Sequence, residues 1–337
     1  CGIWLTLRVR FLQIRHLGRA LKYMVHNEAH GEGEVTSFGA LCTALSATIG
    51  TGNIVGVATA IAAGGPGALL WMEIAAFFGM ATKYSEGLLA IKYRSIDKDG
   101  HVLGGPFYYI ERGMGMRWRW LAKVFAFFGM CVGLFGIGTF TQVNSISGAI
   151  TGFFDPNKSM TVSILGMDYS IATVIGSLVL AVLVGLVVIG GLKRIAKVSE
   201  RVIPAMVVLY VGFSLVLILT NLDKLPGAFV TIIESAFGLQ AVAGGMLGAI
   251  IVAMQKGIAR GIFSNEAGLG SAPIAAAAAQ TKEPVRQGLV SMTGTFWDTV
   301  VVCAMTGLVL VTSIMKNPSI DIGNVSNGGV LTTLAFD

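Results

Sequence analysis

Residues 47–54 read Ala-Thr-Ile-Gly-Thr-Gly-Asn-Ile and lie in the middle of an apolar segment that runs from about residue 37 to residue 64. The segment is long enough to span a bilayer, but its centre is polar and rich in glycine. Each half has about 11–13 residues, or ~15–20 Å of helix, which places the interruption near the middle of the membrane. Because unpaired backbone groups are costly in hydrocarbon, a helix interrupted at this depth needs partners for them. The stretch therefore predicts a broken transmembrane helix that lines a binding site.

The composition is that of a membrane protein with several spans. Hydrophobic residues make up 54% of the 337 and charged residues only 12%, with a mean hydropathy of +0.75. Soluble domains carry about 25% charged residues. The 45 glycines fit transmembrane helices that pack closely together. We expect an all-α polytopic protein of the plasma or inner cell membrane, in contact with the lipid bilayer.

Seven apolar runs are long enough to be spans. They cover approximately residues 37–64, 67–91, 121–150, 170–191, 202–220, 227–258 and 288–314. Twenty of the 24 lysines and arginines fall in the loops of one side, which the positive-inside rule makes cytoplasmic. The net charge of +6 therefore reflects orientation in a membrane, and we expect no nucleic-acid partner.

Both ends of the chain look cut, and we expect it to be a fragment. An apolar stub after Cys1 runs into basic residues, and residues 330–336 resemble the start of another span. We expect one membrane transport domain over 1–337, with 1–36 as a truncated helix and cytoplasmic connector. Residues 37–220 are then a first five-helix repeat and 226–337 an incomplete second repeat. We expect 8–33 to be a solvated helical connector and 151–169 a plain loop.

A second weak point interrupts the sixth predicted span. Residues 237–248 contain four glycines, again near mid-depth. The first span enters from the cytoplasm and the sixth from outside, and five spans separate equivalent positions. Interrupted helices in corresponding positions of two inverted halves indicate where a transporter binds its substrate.

Five stretches of the chain carry a family resemblance. They are 43–54, 64–72, 78–84, 261–274 and 291–296. In these stretches the chain resembles the alanine or glycine:cation symporter family, the sodium:alanine symporters. The resemblance implies the 5+5 inverted-repeat fold shared with neurotransmitter:sodium symporters, present here as a partial first helix plus seven core spans. It also implies sodium-driven import of alanine or glycine. Glu73 departs from the family, which usually has an aromatic residue after Trp71-Met72.

The chemistry of a small amino acid indicates which residues of the two breaks bind it. Its carboxylate needs donors, which free backbone N–H groups at residues 50–52 supply at the start of a half-helix. Its ammonium needs acceptors, which we expect among the carbonyls of the second break. Phe237 or Gln240 would wall the pocket, and Gln142 either lines it or bonds neighbouring helices. The candidate substrate-binding residues are Gly50, Thr51, Gly52, Phe237, Gln240, Gly244 and Gln142.

Sodium prefers hard oxygen ligands, which the first break offers as carbonyls and side-chain oxygens. The order Gly-x-Gly-Asn at 50–53 is similar to the break of the neurotransmitter family, where the asparagine amide oxygen coordinates sodium. The candidate sodium ligands are Ser46, Thr48, Ile49 and Asn53. We expect no cofactor besides this coupling ion.

Several polar residues inside the predicted spans have open interpretations. Asp298 lies near mid-depth, where an acid is either functional or bonded to an internal polar partner. Lys83 and Glu86, three residues apart, are interpreted as an intrahelical pair. Asn265-Glu266 belongs either to a cytoplasmic gate or to a helix terminus.

Other classes of function fit the sequence poorly. The four histidines form no HExxH motif and the chain has no GxSxG, so we expect no enzyme. A channel would need a polar stripe along several spans, and a sensor would need an output domain. Sodium-coupled import of a small neutral amino acid by alternating access is the leading hypothesis. Proton coupling or another small substrate is the alternative.

Overall fold

The computed structural model describes residues 1–28, 31–136, 138–157, 159–164, 166–239, 245–317 and 328–336. Within them the chain is mostly helical, and its strands form two short antiparallel hairpins. Long apolar helices dominate, which confirms the expected all-α polytopic membrane protein.

Three short helices precede the first predicted span. They are α1 (Gly2–Arg8), α2 (Leu12–Arg15) and α3 (Leu17–Val25). Arg10 and Phe11 are both left-handed, with φ of 55°, and separate α1 from α2. Ala20 of α3 is fully buried in an apolar cluster with Met80 and Met292. The expectation of a solvated connector is therefore wrong for α3, because one of its faces packs into the protein.

The first predicted span is a broken helix, as expected. Its parts are α4 (Ser37–Thr48), a π-helix π1 (Gly52–Gly56) and α5 (Val57–Gly64). The Thr36 hydroxyl caps α4 by accepting a hydrogen bond from Gly39 N at 2.8 Å. The axes of the two halves are bent by 55°. The second predicted span follows as α6 (Gly67–Lys92).

The loop that connects α6 to the third predicted span lies on the side that we predict to be cytoplasmic. It contains a small hairpin and a helix, β1 (Ser95–Ile96), β2 (Val102–Leu103) and α7 (Pro106–Gly113). A 3-10 turn, Met116–Trp118, precedes the next long helix. Pro106 stands at the first position of α7, where its missing N–H leaves no bond unmade.

The third predicted span is divided into two helices. The helices of this region are α8 (Arg119–Leu134), α9 (Thr139–Phe154), α10 (Ile171–Val188) and α11 (Gly191–Thr220). Gly136 and Gly138, between α8 and α9, have φ of 61° and 90°. Because side chains with a Cβ rarely adopt these angles, the glycines permit an interruption here that the apolar pattern did not predict.

The loop between α9 and α10 is a hairpin and not the plain loop we expected. Strand β3 (Thr161–Ile164) pairs with β4 (Met167–Ser170) in antiparallel register. Asp155 holds its base by accepting hydrogen bonds from Ser170 Oγ and Ser159 N, each at 2.7 Å. These bonds, that from Ser170 above all, hold the pKa of the Asp155 carboxyl below its usual range.

The second half of the described chain contains the second break. Its helices are α12 (Leu225–Ala236), α13 (Met246–Asn265), α14 (Ala272–Ala277), α15 (Pro284–Thr295), π2 (the π-helix Phe296–Cys303), α16 (Ala304–Lys316) and α17 (Gly328–Phe336). In the sixth predicted span, α12 ends at Ala236 and is followed by a turn with Gly238 at φ 63°, while α13 begins at Met246. Residues 240–244 of the predicted break lie outside the described residues. The seventh predicted span runs from α15 through π2 into α16, and no sequence pattern indicated π2.

Helix α6 lies at the centre of the fold, against α13 and α15. A Cβ added at Gly257 of α13 would lie 2.2 Å from the Ala68 carbonyl oxygen of α6. The two backbones are thus in direct contact, as small residues allow between membrane helices. Ile61, Met72 and Leu310 are fully buried beside this contact and form its apolar core.

Among the described residues, five helical segments could cross a membrane by length and composition, one of them Met116–Phe154 with α8 and α9 taken together, and the bent pair α4–α5 makes a sixth. Helix α6 is not among them although it has 26 residues, and it carries Glu73, Lys83 and Glu86. Helix α10 has no buried residue, and large apolar side chains such as Leu178 are exposed along it. Such a helix suits contact with lipid.

The segment before α4 is joined to the segment before α15. Glu34 N and Val35 N donate to the Ala278 carbonyl at 2.8 and 3.1 Å, and Gln280 N donates to the Val35 carbonyl at 2.7 Å. Val35 and Ala279 form a parallel bridge. The start of the broken helix is therefore fixed to the connection between α14 and α15.

Replacing Arg94 with lysine is expected to destabilise this junction by about 1–3 kcal/mol, because a buried carbonyl would lose its partner. The guanidinium of Arg94 donates to the carbonyls of Ala277, Ala279 and Thr281 at 2.7 Å each, and also to that of Glu32. Lysine lacks the rigid fork that reaches several acceptors. Thermal unfolding of the purified protein measures the loss, with Arg117→Lys at an exposed position as control. Equal unfolding temperatures for the two variants would contradict the assignment.

Candidate functional site

One asparagine closes the break of the first span. Helix α4 ends at Thr48, and Ile49 is extended, with φ −76° and ψ 110°. Gly50 N donates to Asn53 Oδ1 at 2.8 Å. This is the reciprocal bond of a capping box, in which the third residue of a helix bonds back to its N-cap. The bond caps the second half-helix, which begins at Thr51. The first N–H groups of a helix have no partner within that helix.

The amide nitrogen of Asn53 lies among three oxygen atoms. Ser264 Oγ, the Asp298 carbonyl oxygen and Asp298 Oδ1 are each 2.9 Å from Asn53 Nδ2. Cys303 Sγ is 3.4 Å from the same nitrogen. The side chain of Asn53 is fully buried. Asn53 thus connects the first broken helix with α13 and with π2.

The carboxylate of Asp298 is held by neutral donors. Its Oδ2 accepts from Ser264 Oγ at 2.9 Å and from Thr299 Oγ1 at 2.8 Å, and the residue is 1% exposed. No lysine or arginine nitrogen of the described residues lies within 4.0 Å of it. The internal polar partners that were one interpretation of Asp298 are confirmed. They do not decide whether the acid is also functional.

Two π-helices meet at this cluster, because Asn53 lies in π1 and Asp298 in π2. A π-helix bonds residue i to residue i+5, so it is wider than an α-helix and is frequent at functional sites. Segment π2 contains eight residues, more than the single turn that is common. Its altered register places the Asp298 carbonyl where a side chain of another helix reaches it.

The inner end of α13 supports the carboxylate from a second side. Asn265 Nδ2 donates to Thr299 Oγ1 at 3.1 Å, and Ala267 N donates to Asn265 Oδ1 at 3.0 Å. Glu266 is left-handed, with φ 54°, and ends the helix. The helix-terminus interpretation of Asn265-Glu266 is therefore confirmed.

Gln142 lies next to the first break. A Cβ added at Gly50 would lie 2.9 Å from Gln142 Oε1. This places the amide of Gln142, on α9, against the backbone of the proposed carboxylate-binding segment. Gly50 leaves the space for that approach, because a Cβ at this position would require the amide end of Gln142 to shift.

The second break lies beside the start of α6. Trp71 Nε1 donates to the Ala236 carbonyl at 3.1 Å, and Gly67 N donates to Ser235 Oγ at 3.0 Å. The ring of Phe237 packs edge-on against Trp71, with centroids 6.1 Å apart. Two predicted substrate-binding residues, Gln240 and Gly244, lie outside the described residues.

The other predicted sodium ligands precede the break. Ser46 is exposed, and its hydroxyl donates to the Thr43 carbonyl at 2.7 Å. Thr48 is buried, and its hydroxyl points to the Leu45 carbonyl at 3.5 Å. Both side chains therefore bond their own helix, while Asn53 reaches across to other helices. The assignment of Ser46, Thr48 and Ile49 to sodium stays a prediction.

A small cavity lies beside α4, lined by Lys83, Thr48, Gln287 and Ser291 among others. Its volume is about 20 Å³; a cavity of roughly 10–15 Å³ or more has room for one water molecule. Lys83 is 3% exposed, and no carboxylate oxygen of the described residues lies within 4.0 Å of its ammonium. Lys83 and Glu86 lie on one helix, as the intrahelical interpretation requires, but no contact within 4.0 Å joins their charged atoms, and Glu86 Oε1 accepts from Gly270 N at 3.2 Å.

Asn53, Ser264 and Asp298 form one polar cluster, and the sequence indicated little of the roles of two of them. Ser264 lies in 261–274, one of the stretches that carry the family resemblance, but no pattern indicated a role for its hydroxyl. Asp298 stood out as an acid in an apolar run, yet its pairing with Asn53 joins positions 245 residues apart. A local pattern in the sequence cannot predict a contact between positions so far apart.

The family model of the sodium:alanine symporter family matches residues 1–337. An uncharacterized transporter of Haemophilus influenzae is 56% identical over 328 residues, covering 97% of this chain and 68% of that protein. The sodium/alanine symporter AgcS of Methanococcus maripaludis is 47% identical over 342 residues, covering 100% of this chain and 70% of that protein. A probable sodium/glutamine symporter, GlnT of Bacillus subtilis, is 40% identical over 93% of this chain and 61% of its own length. The chain thus spans about two thirds of the length of these relatives.

Proposed function

The chain belongs to the sodium:alanine symporter family, and we propose that it imports a small neutral amino acid, alanine or glycine, together with sodium. Cation-coupled amino-acid symport follows from the family itself. The choice of sodium and of alanine or glycine is the proposal. Its nearest support is the similarity to a protein named as a sodium/alanine symporter.

The break at residues 49–51 is the observation that carries the assignment of the site. The first N–H groups of a helix bind anions well, because they lack internal partners and lie at the positive end of the helix dipole. The Gly50 N–H donates to Asn53 Oδ1, and Gln142 lies beside Gly50. Thr51 and Gly52 follow at the start of the second half-helix and present such groups. In our proposal they bind the substrate carboxylate, while Asn53 contributes to the sodium site.

The remaining features of the proposal concern architecture. Residues 37–220 and 226–337 are two inverted repeats of a 5+5 fold, and alternating access occurs around their broken helices. The bend of 55° between α4 and α5 and the interruption between α12 and α13 support this arrangement. The protein resides in the plasma or inner cell membrane, with the lysine-rich and arginine-rich loops on the cytoplasmic side.

A second substrate class has a specific observation in its favour. The relative named as a probable sodium/glutamine symporter is 40% identical, so members this similar can differ in their named substrate. Glutamine is larger than alanine and would need a wider pocket beside the breaks. Proton coupling remains the alternative for the ion.

Full-length protein in proteoliposomes is expected to accumulate labelled alanine only when an inward sodium gradient is imposed. If one sodium ion moves with each alanine, a tenfold gradient supports accumulation of up to about tenfold, because each factor of ten stores ~1.4 kcal/mol. The control is a potassium gradient combined with a pH gradient of the same size. Equal uptake under the control would refute sodium coupling, and stronger competition by unlabelled glutamine than by glycine would overturn the substrate.

A further inference from the structure

Positive charge is concentrated where the third predicted span begins. Residues 112–123 contain four basic residues and no acidic one, and they lie on the side that we predict to be cytoplasmic. We call this stretch the basic corner, because it includes the turn between α7 and α8. Its four basic residues are all exposed: Arg112, Arg117, Arg119 and Lys123. A cluster of this size beside a membrane helix is typical of surfaces that attract acidic lipid headgroups.

Carboxylates of the protein neutralise little of the charge of the basic corner. Glu111 Oε1 lies 3.5 Å from Arg119 Nε, and both side chains are partly exposed, so the pair is weak. No carboxylate oxygen of the described residues lies within 4.0 Å of the Arg117 guanidinium or the Lys123 ammonium. Two of the four charges are therefore available to an anion from outside the protein, and Arg119 has only a weak partner to exchange for it.

Two tryptophans alternate with the arginines of the basic corner. Trp118 and Trp120 stand on either side of Arg119 in the sequence, and their rings stack with centroids 6.3 Å apart and an interplanar angle of 29°. Both rings are exposed. Tryptophan is enriched at the boundary between membrane and water, where its apolar ring and its N–H group lie at the level of the headgroups. The stacked pair therefore places the basic corner at that level.

An apolar face of α8 continues directly from the basic corner. Trp120, Val124 and Phe127 are spaced by four and three residues, so they share one side of the helix. Their exposed fractions are 58%, 40% and 57%, so no described part of the protein covers this side. A phospholipid with an acidic headgroup matches both parts, since its phosphate suits Arg117 and Lys123 and its acyl chains suit the apolar face. A water-soluble anion would match the charged part alone.

The basic corner is also connected to the inner end of α13. A Cβ added at Gly270, in the loop after α13, would lie 2.8 Å from Phe125 Cζ of α8 and 2.8 Å from Pro106 Cγ of α7. The N–H of Gly270 donates to Glu86 of α6 at 3.2 Å. Helices α7 and α8 thus pack closely on this loop. A ligand that binds the basic corner would hold both helices in that position.

We propose that the basic corner and the apolar face of α8 bind an anionic phospholipid of the cytoplasmic leaflet, and that this lipid stabilises the packing of α7 and α8 on the loop after α13. Arg117, Arg119 and Lys123 bind the phosphate of the headgroup. The two tryptophans lie beside the headgroup, and the acyl chains lie along the apolar face. The site rests on charge, ring stacking and exposure at the basic corner, and it does not depend on the substrate or on the coupling ion.

Lipid binding is tested by thermal unfolding of the purified full-length protein in a neutral detergent and a potassium buffer. The protein is titrated with phosphatidylglycerol or with phosphatidylcholine. Because a ligand of the folded state stabilises that state, we expect phosphatidylglycerol to raise the unfolding temperature at a lower concentration than phosphatidylcholine does.

A pair of double variants locates the effect. Arg117→Gln with Lys123→Gln is expected to need about tenfold or more phosphatidylglycerol for the same rise in unfolding temperature, because each removed charge weakens the attraction to an anionic headgroup. The matched control is Lys193→Gln with Lys197→Gln. It removes the same charge from exposed positions of α11, in the stretch 190–209, which has no aromatic residue. We expect the control to respond to phosphatidylglycerol as the natural protein does.

Equal responses of the two double variants would overturn the site, because the effect would then come from positive charge at the cytoplasmic surface in general. The same rise with both lipids in the natural protein would overturn it as well. So would the same rise with inorganic phosphate, which carries the charge without acyl chains. The assay contains neither sodium nor an amino acid, so its result is independent of the proposed function.

The position of the lipid has a second readout, which decides the question if the charge variants do not fold. Phosphatidylglycerol with brominated acyl chains quenches the fluorescence of tryptophans that it contacts. In an excess of phosphatidylcholine, we expect it to quench the natural protein, and we expect Trp118→Phe with Trp120→Phe to lose most of that quenching. Quenching of the same fraction of the fluorescence in both proteins would overturn the placement of the lipid at the basic corner.

Discussion

Alanine at position 53 is expected to raise the sodium concentration for half-maximal alanine uptake by about tenfold or more, equivalent to at least ~1.4 kcal/mol. The side chain of Asn53 is fully buried and bonds Gly50, Ser264 and Asp298. Asn53→Ala removes the proposed sodium ligand. It also leaves the N–H of Gly50 and the carboxylate of Asp298 without their bonds to Asn53. Each such group costs about 1–3 kcal/mol, so thermal stability should fall as well.

The two effects of Asn53→Ala are separated by measuring uptake as a function of sodium and unfolding in potassium alone. Asn157→Ala, at an exposed position of the loop after α9, provides the same chemical change as a control. A lower unfolding temperature with unchanged dependence on sodium would assign Asn53 to structure and remove it from the ion site.

Alanine at position 257 is expected to destabilise the protein by about 1–3 kcal/mol or more and to reduce the amount of folded transporter, because close-packed interiors do not accept an added methyl group. The added Cβ would lie 2.2 Å from the Ala68 carbonyl and 2.9 Å from Trp71 Cβ. Both neighbours belong to α6 near the second break, and neither the carbonyl nor the Cβ can move without the helix. The variant therefore has to separate α13 from α6.

Helix α13 itself provides the control for Gly257→Ala. Around Gly248, no heavy atom of the described residues outside the local helix lies within 4 Å of an added Cβ. Gly248→Ala is expected to be neutral or to stabilise by up to about 1 kcal/mol, since alanine favours helix more than glycine does. Unfolding temperatures and folded yield measured for both variants decide the matter, and a similar loss for the two would contradict the close contact at Gly257.

The broken helices could be predicted because their signal is local. Glycines and an asparagine inside an apolar run are costly in a membrane helix, so residues 50–53 and the glycines after Phe237 stood out without any knowledge of their neighbours. The third predicted span is one candidate span, Met116–Phe154, but the same reasoning did not indicate the turn between α8 and α9, where Gly136 and Gly138 have positive φ. Glycine is common in packed membrane helices, so its presence alone does not distinguish a break from a contact.

The contacts that assemble the candidate site could not be predicted from local patterns. An α-helix and a π-helix have similar apolar sequences, so nothing in residues 296–303 indicated π2. The hydrogen bond between Asn53 and Asp298 depends on how helices distant in the sequence pack together. Such packing produces no periodic pattern in the sequence. The spacing of Lys83 and Glu86 placed them on one helix, but it did not indicate that Glu86 accepts a hydrogen bond from Gly270 N, 184 residues away.

The bridge between Val35 and Ala279 has a mechanical consequence for the broken helix. The bridge and the bonds of Arg94 join the beginning of α4 to the α14–α15 connection, so we expect this end of α4 to move together with that connection. Any tilt of α4 relative to α5 must pivot at the other end, where Ile49 is extended. The pivot and the proposed carboxylate-binding segment are then the same few peptide units. An amino acid bound at these peptide units would therefore restrict the angle between α4 and α5. The same hydrogen bonds would then determine both substrate binding and the angle between the two half-helices.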